Sequence, residues 1–283
     1  VSRRANRSAA ALTREELAEW LRAAWDEPDR LHDLIVAALD EGRATEVREA
    51  ARRLTEIDPE PARSAAVLAL VKRTCADHQG AERVLLDHIR AHGGSAGIWF
   101  SLAPLAAWRG SENDVGTALG NALKYDPDHW ETLHWGYRHY LRHGGAQAAL
   151  DWLERYKARS WRAHLMIGTV LLDRGDREDA FACFEAACEL APNHPGPLSG
   201  VAEALLGAGL LAELADVVLR RWRGVHGPVP LIHAIEADLR LGRAADAALA
   251  LSRLRGLRVP PETAGQVAEL ERRVRAACAA AGL

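Results

Sequence analysis

Apolar residues recur along this chain at the three- and four-residue spacing of helices, in runs of about 14 residues broken by glycine. The stretch from Trp161 to His194 shows the pattern most plainly. Ile167, Gly168 and Leu171 fall on one helical face. After Arg174-Gly175-Asp176, Ala180, Phe184 and Ala187 do the same, and Pro192 ends the second run. Small residues at Gly168 and Ala180 would let the two helices close on each other, with Leu171 and Phe184 filling the remaining space. The pattern predicts a helix–turn–helix hairpin.

The turn held by Gly175 recurs at Gly42, Ala76, Gly110, Gly144, Gly209 and Gly242, at spacings of 34, 34, 34, 31, 34 and 33 residues in chain order. Five residues beyond each turn stands Val47, Ala81, Val115, Ala149, Ala180, Leu214 or Ala247. Four residues later comes Ala51, Leu85, Leu119, Leu153, Phe184, Val218 or Leu251. Pro59, Pro127 and Pro192 close three of the units. These seven units in phase are similar to the tetratricopeptide repeat, and Trp99, Leu102 and Ala103 reproduce its opening motif with alanine in place of glycine. The resemblance implies an all-α fold, a right-handed superhelical solenoid of about seven repeats. Fourteen repeat helices and a cap at each end are expected, with no sheet.

The ends fit that plan. Residues 1–12 are small, basic and aperiodic and read as a flexible arm. Residues 13–27 form the expected N-terminal cap, where Thr13 and Glu16 make a capping box before Leu17, Trp20, Leu21 and Ala24. The repeat array is expected over 28–260, with Pro28 in the first turn of its first helix. Residues 261–283 read as a C-terminal capping helix, with Val267, Leu270, Val274 and Cys278 inward and Arg272, Arg273 and Arg275 outward. Two places depart from the repeat. The fourth and fifth units are linked by a short connection at Lys157–Ser160. The sixth has Arg221 and His226 where the family has alanine and proline, and Trp222–Gly227 reads as a loop.

Composition narrows the picture. Over 283 residues, 48% are hydrophobic and 27% charged, which is a folded, soluble balance. The net charge of −3 argues against nucleic acid or a membrane surface as partner. Only three of the 36 basic residues are lysines, and with abundant alanine this resembles proteins of GC-rich bacterial genomes. Cys75, Cys183, Cys188 and Cys278 match no metal spacing and read as small apolar fillers, suited to a reducing cytoplasm. The paired arginines near the start lack the apolar core of an export signal, and no run is long enough to span a membrane.

Sequence support for catalysis is absent. Gly207-Ala-Gly209-Leu-Leu-Ala212 fits a dinucleotide fingerprint, but a helical segment precedes it where the chemistry needs a strand. His129, His134, His139, His143 and His164 crowd together, and His139 and His143 share a helix face that could chelate a metal. Without a carboxylate within one turn of that pair, a structural or solvated role is the expected one, with no metal and no cofactor.

In the family that the repeats resemble, the first helix of each unit lines a concave groove. Carried onto this register, the groove residues are Arg63 and Arg73 in repeat two, Phe100 and Trp108 in repeat three, and Glu131, His134, Arg138 and Arg142 in repeat four. Repeat five adds Arg162, Thr169 and Asp173. Glu203 and Glu236, with Arg240, make the far end more acidic. The lysine and asparagine of the family's carboxylate clamp are replaced by His32, Val36, Ala66 and Leu70, so the chaperone-tail specificity is not expected. The expected function is a non-enzymatic adaptor that binds an extended peptide or partner helix, acidic or phosphorylated, through arginine and aromatic contacts. The alternatives are a self-assembling structural module and, behind it, a metal enzyme built on the histidine patch.

Overall fold

The structure, a computed structural model, describes residues 13–258 and 260–283. The expected flexible arm at 1–12 lies outside them. The chain divides into two compact units, Val1–Gly136 and Tyr137–Leu283, each built of antiparallel helix pairs. Among the described residues there is no strand.

In the first unit, α1 (Arg14–Ala23) precedes the pairs α2 (Pro28–Asp40) with α3 (Arg48–Ile57), α4 (Pro61–Thr74) with α5 (His78–His92), and α6 (Ala96–Arg109) with α7 (Glu112–Tyr125). A 3-10 turn, Ala44–Val47, leads into α3. Helix α8 (Trp130–Glu154) begins in this unit and continues in the second, and its two arms meet at a non-helical Gly145. The second unit continues with α9 (Trp161–Arg174) and α10 (Arg177–Leu190), α11 (Pro195–Gly207) and α12 (Leu211–Arg221), and α13 (Val229–Arg240) and α14 (Ala244–Arg255), and ends in α15 (Pro261–Ala281). Counting the arms of α8 separately, fourteen helices form seven hairpins between α1 and α15, as the periodicity predicts.

Local chemistry sets the helix ends. The Thr13 hydroxyl accepts the Glu16 amide while the Glu16 carboxylate accepts the Thr13 amide, which closes the predicted capping box. Ser95, Asp77 and Ser160 accept first-turn amides in the same way on α6, α5 and α9. Each hairpin turns on one residue with positive φ: Gly42, Ala76, Gly110, Gly145, Gly175, Gly209 and Gly242.

This corrects the expected register at one point. The fourth turn is at Gly145 (φ 78°) and not at Gly144, where an added Cβ would lie 2.6 Å from the Ala148 methyl. A Gly-Gly pair leaves either residue free to take the left-handed conformation. Only packing chooses between them. Ala76 is the one described non-glycine residue with positive φ, at 63°. Its Cβ crowds the neighbouring carbonyl there, at a cost that glycine avoids. Ala76→Gly is therefore expected to stabilise the fold by about 0.5–1 kcal/mol after its added unfolded-state entropy is set against it. A urea midpoint at or below that of the wild type would show that the turn carries no such strain.

The core follows the predicted positions closely. All seven residues five places beyond Gly42, Ala76, Gly110, Gly144, Gly175, Gly209 and Gly242 are fully buried, and the seven four places later are at most 3% exposed. At the C-terminus, Leu270 and Val274 of α15 are buried against the α13–α14 hairpin, and Arg255 on α14 holds Glu271 at 2.8 Å. The sixth connection contains a 3-10 turn, Gly224–His226, where a loop is expected. The Lys157–Arg159 link likewise forms one turn of 3-10 helix.

Candidate binding groove

In the first unit, the first helices of successive hairpins bring together an open, mostly apolar cleft of about 350 Å³. Helix α4 contributes Ala66, Leu70 and Arg73, α6 contributes Phe100, Pro104 and Leu105, and α8 contributes Trp135. Phe100 meets Trp135 edge-on, with ring centroids 6.4 Å apart, and lies 5.9 Å from the His129 ring. Ala66 and Leu70 add aliphatic surface to the α4 side of the cleft. Here that stretch of wall is greasy.

One charged group lines this apolar setting. The Arg73 guanidinium is partly desolvated, which lowers its pKa, and it has no acidic partner among the described residues. Pro104 lies in the interior of α6 and has no N–H to give to the carbonyl of Phe100, four residues back. The cleft therefore combines aromatic surface with a cation that has no carboxylate partner among the described residues.

The remaining expected groove residues lie elsewhere. Arg63 is occupied structurally: its Nε and one terminal nitrogen reach the buried Asp58 carboxylate at 2.9 and 2.8 Å, and another reaches Asp29 at 2.9 Å. Burial alone would raise the Asp58 pKa, but the Arg63 pair and the Glu60 amide hold it below the ordinary value. Trp108 is 64% exposed at the end of α6 and stacks on His78 with centroids 3.9 Å apart, outside the cleft. His134 stacks on Trp130 at 5.1 Å. In the second unit Arg138, Arg142 and Asp173 are exposed, and the Arg162 guanidinium sits over the Trp161 ring at 4.6 Å.

Trp135 is absent from the expected set, and the misplaced fourth turn explains why. The cleft residues Ala66 and Phe100 each stand ten places before their turn, at Ala76 and Gly110. Counted from Gly145, the same place is Trp135; counted from Gly144, it is His134. The corrected register keeps Arg142 at the place that Arg73 holds and removes Arg138. His129 Nδ1 accepts the Thr132 amide and caps α8, and the His139 and His143 rings lie 4.4 Å apart. His164 is half-buried, and desolvation lowers its pKa. The glycines of the fingerprint-like run sit at the end of α11 and in the following turn, with helix on both sides. Burial raises the pKa of Cys183 and Cys188, which disfavours the thiolate form at both.

No family model matches the chain, and no curated protein does. Solved structures similar to it include a tetratricopeptide repeat protein from Parabacteroides merdae, 16% identical, covering 88% of this chain and 98% of that one with a TM-score of 0.36. Another is yeast Tom70, 13% identical, covering 93% and 57% with a TM-score of 0.44. A third is YrrB, described as a TPR protein with an unusual peptide-binding site, 12% identical over 85% and 98% with a TM-score of 0.33. At this level the likeness carries no argument, and the repeat assignment rests on the seven hairpins themselves. Among the described residues no helix is long and apolar enough to cross a membrane.

Proposed function

We propose that the protein is a non-enzymatic interaction scaffold that holds an extended, acidic peptide segment of a partner protein in the α4–α6–α8 cleft. The observation that carries this reading is the unpaired, partly desolvated Arg73 beside the Phe100–Trp135 wall. Leaving a guanidinium desolvated without a partner costs free energy, and a bound carboxylate would recover it through paired hydrogen bonds. A large apolar side chain of the same segment would fill the space between Leu70, Phe100 and Trp135. The apolar positions Ala66 and Leu70 favour a side-chain carboxylate flanked by hydrophobic residues over a chain terminus held by a polar clamp.

Peptide-display selection against the whole chain tests this reading. Enriched sequences should carry Asp or Glu within a few residues of Leu, Phe or Trp. Phe100→Ala and Trp135→Ala should each weaken the selected peptides by about tenfold or more, because each removes half-buried aromatic wall that a bound side chain would cover. Trp108→Ala should cost less, since that ring lies outside the cleft. Arg73→Gln should remove most of the salt dependence. Selected peptides that bind Phe100→Ala, Trp135→Ala and Arg73→Gln as tightly as wild type would place the peptide site on another surface.

A further inference from the structure

The least regular repeat builds a second cleft, in the other unit and independent of the groove. It lies between the α10–α11 connection and the end of α12, and its volume is about 460 Å³. His226 creates it. Its Nδ1 accepts the Arg223 amide at 3.0 Å, so the ring proton is on Nε2, which donates to the Pro192 carbonyl at 3.1 Å. This buried imidazole ties the 3-10 turn of one hairpin to the loop of the hairpin before it. Trp222 is held as well, its indole N–H donating to the Gly227 carbonyl at 2.9 Å. The two residues that depart from the repeat pattern, Arg221 and His226, are thus a wall and a strut of one cavity.

The cavity is cationic. Arg220, Arg221 and Arg223 line it, against Glu189 as the single carboxylate among the lining residues. Arg221 is loosely engaged, 3.4 Å from Glu185 and 4.0 Å from Glu189. Arg220 gives only its Nε, to the Asp216 backbone carbonyl at 3.1 Å. Neither Arg220 nor Arg223 forms a salt bridge among the described residues. Arginines at a helix C-terminus ordinarily answer the helix dipole, and Arg220 and Arg221 at the end of α12 do so. Arg223 lies beyond the helix and outside that explanation. The first turn of α11 also faces the cavity through Pro197 and Leu198, bringing the positive end of its dipole. The opposite wall is apolar: Trp222, Pro192 and Leu198.

We propose that this cleft binds a phosphomonoester. Two arginines free of carboxylates suit a dianion with three acceptor oxygens better than a single carboxylate, and each guanidinium can hold it through a two-pronged contact. The volume admits the phosphate together with the group that bears it, which would lie on Trp222 and the prolines. The bearer is either a peptide side chain or a small organic molecule, and the recognised chemistry is the same.

Isothermal titration of the full chain with phenyl phosphate and with a phosphoserine peptide tests the assignment, each beside its dephosphorylated counterpart. At least one phosphorylated probe should bind with a sub-millimolar Kd, about tenfold or more tighter than its counterpart. The tighter of the two identifies the source of the phosphate. Arg220→Gln with Arg223→Gln, and separately Arg223→Glu, should weaken that probe by about tenfold or more. Phe100→Ala and Trp135→Ala should leave it unchanged, which separates this site from the groove. The assignment is overturned if neither phosphorylated probe binds below about 1 mM, if the dephosphorylated probes bind equally well, or if both arginine variants bind like wild type.

Discussion

Phe184→Ala is expected to destabilise the second unit by about 3–5 kcal/mol, the range for truncating a buried aromatic side chain. Phe184 is 2% exposed and sits between α9 and α10, where it closes the fifth hairpin. Its partner is an absence. A Cβ added at Gly168 would lie 2.6 and 2.8 Å from two Phe184 ring carbons and 3.1 Å from the Ala180 carbonyl oxygen. Gly168→Ala alone should therefore cost about 1–3 kcal/mol through overpacking, despite the better helix propensity of alanine. In the Phe184→Ala background the ring is gone, and the same change should be close to neutral or stabilising. Urea denaturation of the four proteins measures this cycle. Additive costs would mean that Gly168 and Phe184 do not compete for one space. Because helical hairpins couple chiefly to their neighbours, hydrogen exchange in Phe184→Ala should rise first around α9 to α11. Equal loosening over the whole unit would contradict that picture.

The second large effect is one of pH. Asp238 on α13 is fully buried, and neither carboxylate oxygen has a hydrogen-bond partner. Desolvation, with a smaller push from Asp246 and Asp216 against the pull of Arg243, raises its pKa from 3.8 to about 6. Arg243 is itself drawn toward Asp216, 3.1 Å away. Between these two values the folded state holds a proton that the unfolded chain has released. Stability therefore falls as pH rises from about 4 to 6, and the loss is complete above that. A shift of this size corresponds to roughly 3 kcal/mol. Asp238→Asn keeps the volume and never ionises. Relative to wild type it should gain about 2–3 kcal/mol between pH 4 and pH 8. A stability difference that does not change with pH would show that the carboxylate finds solvent or a partner when it ionises.

The repeat positions were legible because each is a local pattern. Val47, Ala81, Val115, Ala180, Leu214 and Ala247 recur in phase with a turn, and each is fully buried. The groove was legible only in part. Arg73 and Phe100 carry a register that the sequence states without ambiguity. Trp135 was hidden by a Gly-Gly pair, in which the residue taking positive φ is decided by whether Gly144 can keep its close approach to Ala148. Arg63 looked like an open groove cation because nothing local announces that Asp58 and Asp29 converge on it.

By itself, the chain's periodicity determined an all-helical array of seven hairpins and the buried face of each helix, since both follow from 3.6 residues per turn and a recurring left-handed break. What only tertiary structure decided is which polar groups remain unsatisfied once the hairpins stack. Arg63 and Arg73 share a helix and a side-chain chemistry, yet one is neutralised by two carboxylates and the other is left half-buried without any. Asp238 is stranded where a helix-compatible acid would ordinarily face water. Charge compensation depends on residues up to 34 positions away in the chain, brought near by the stacking of one repeat on the next. No pattern within a single repeat encodes it.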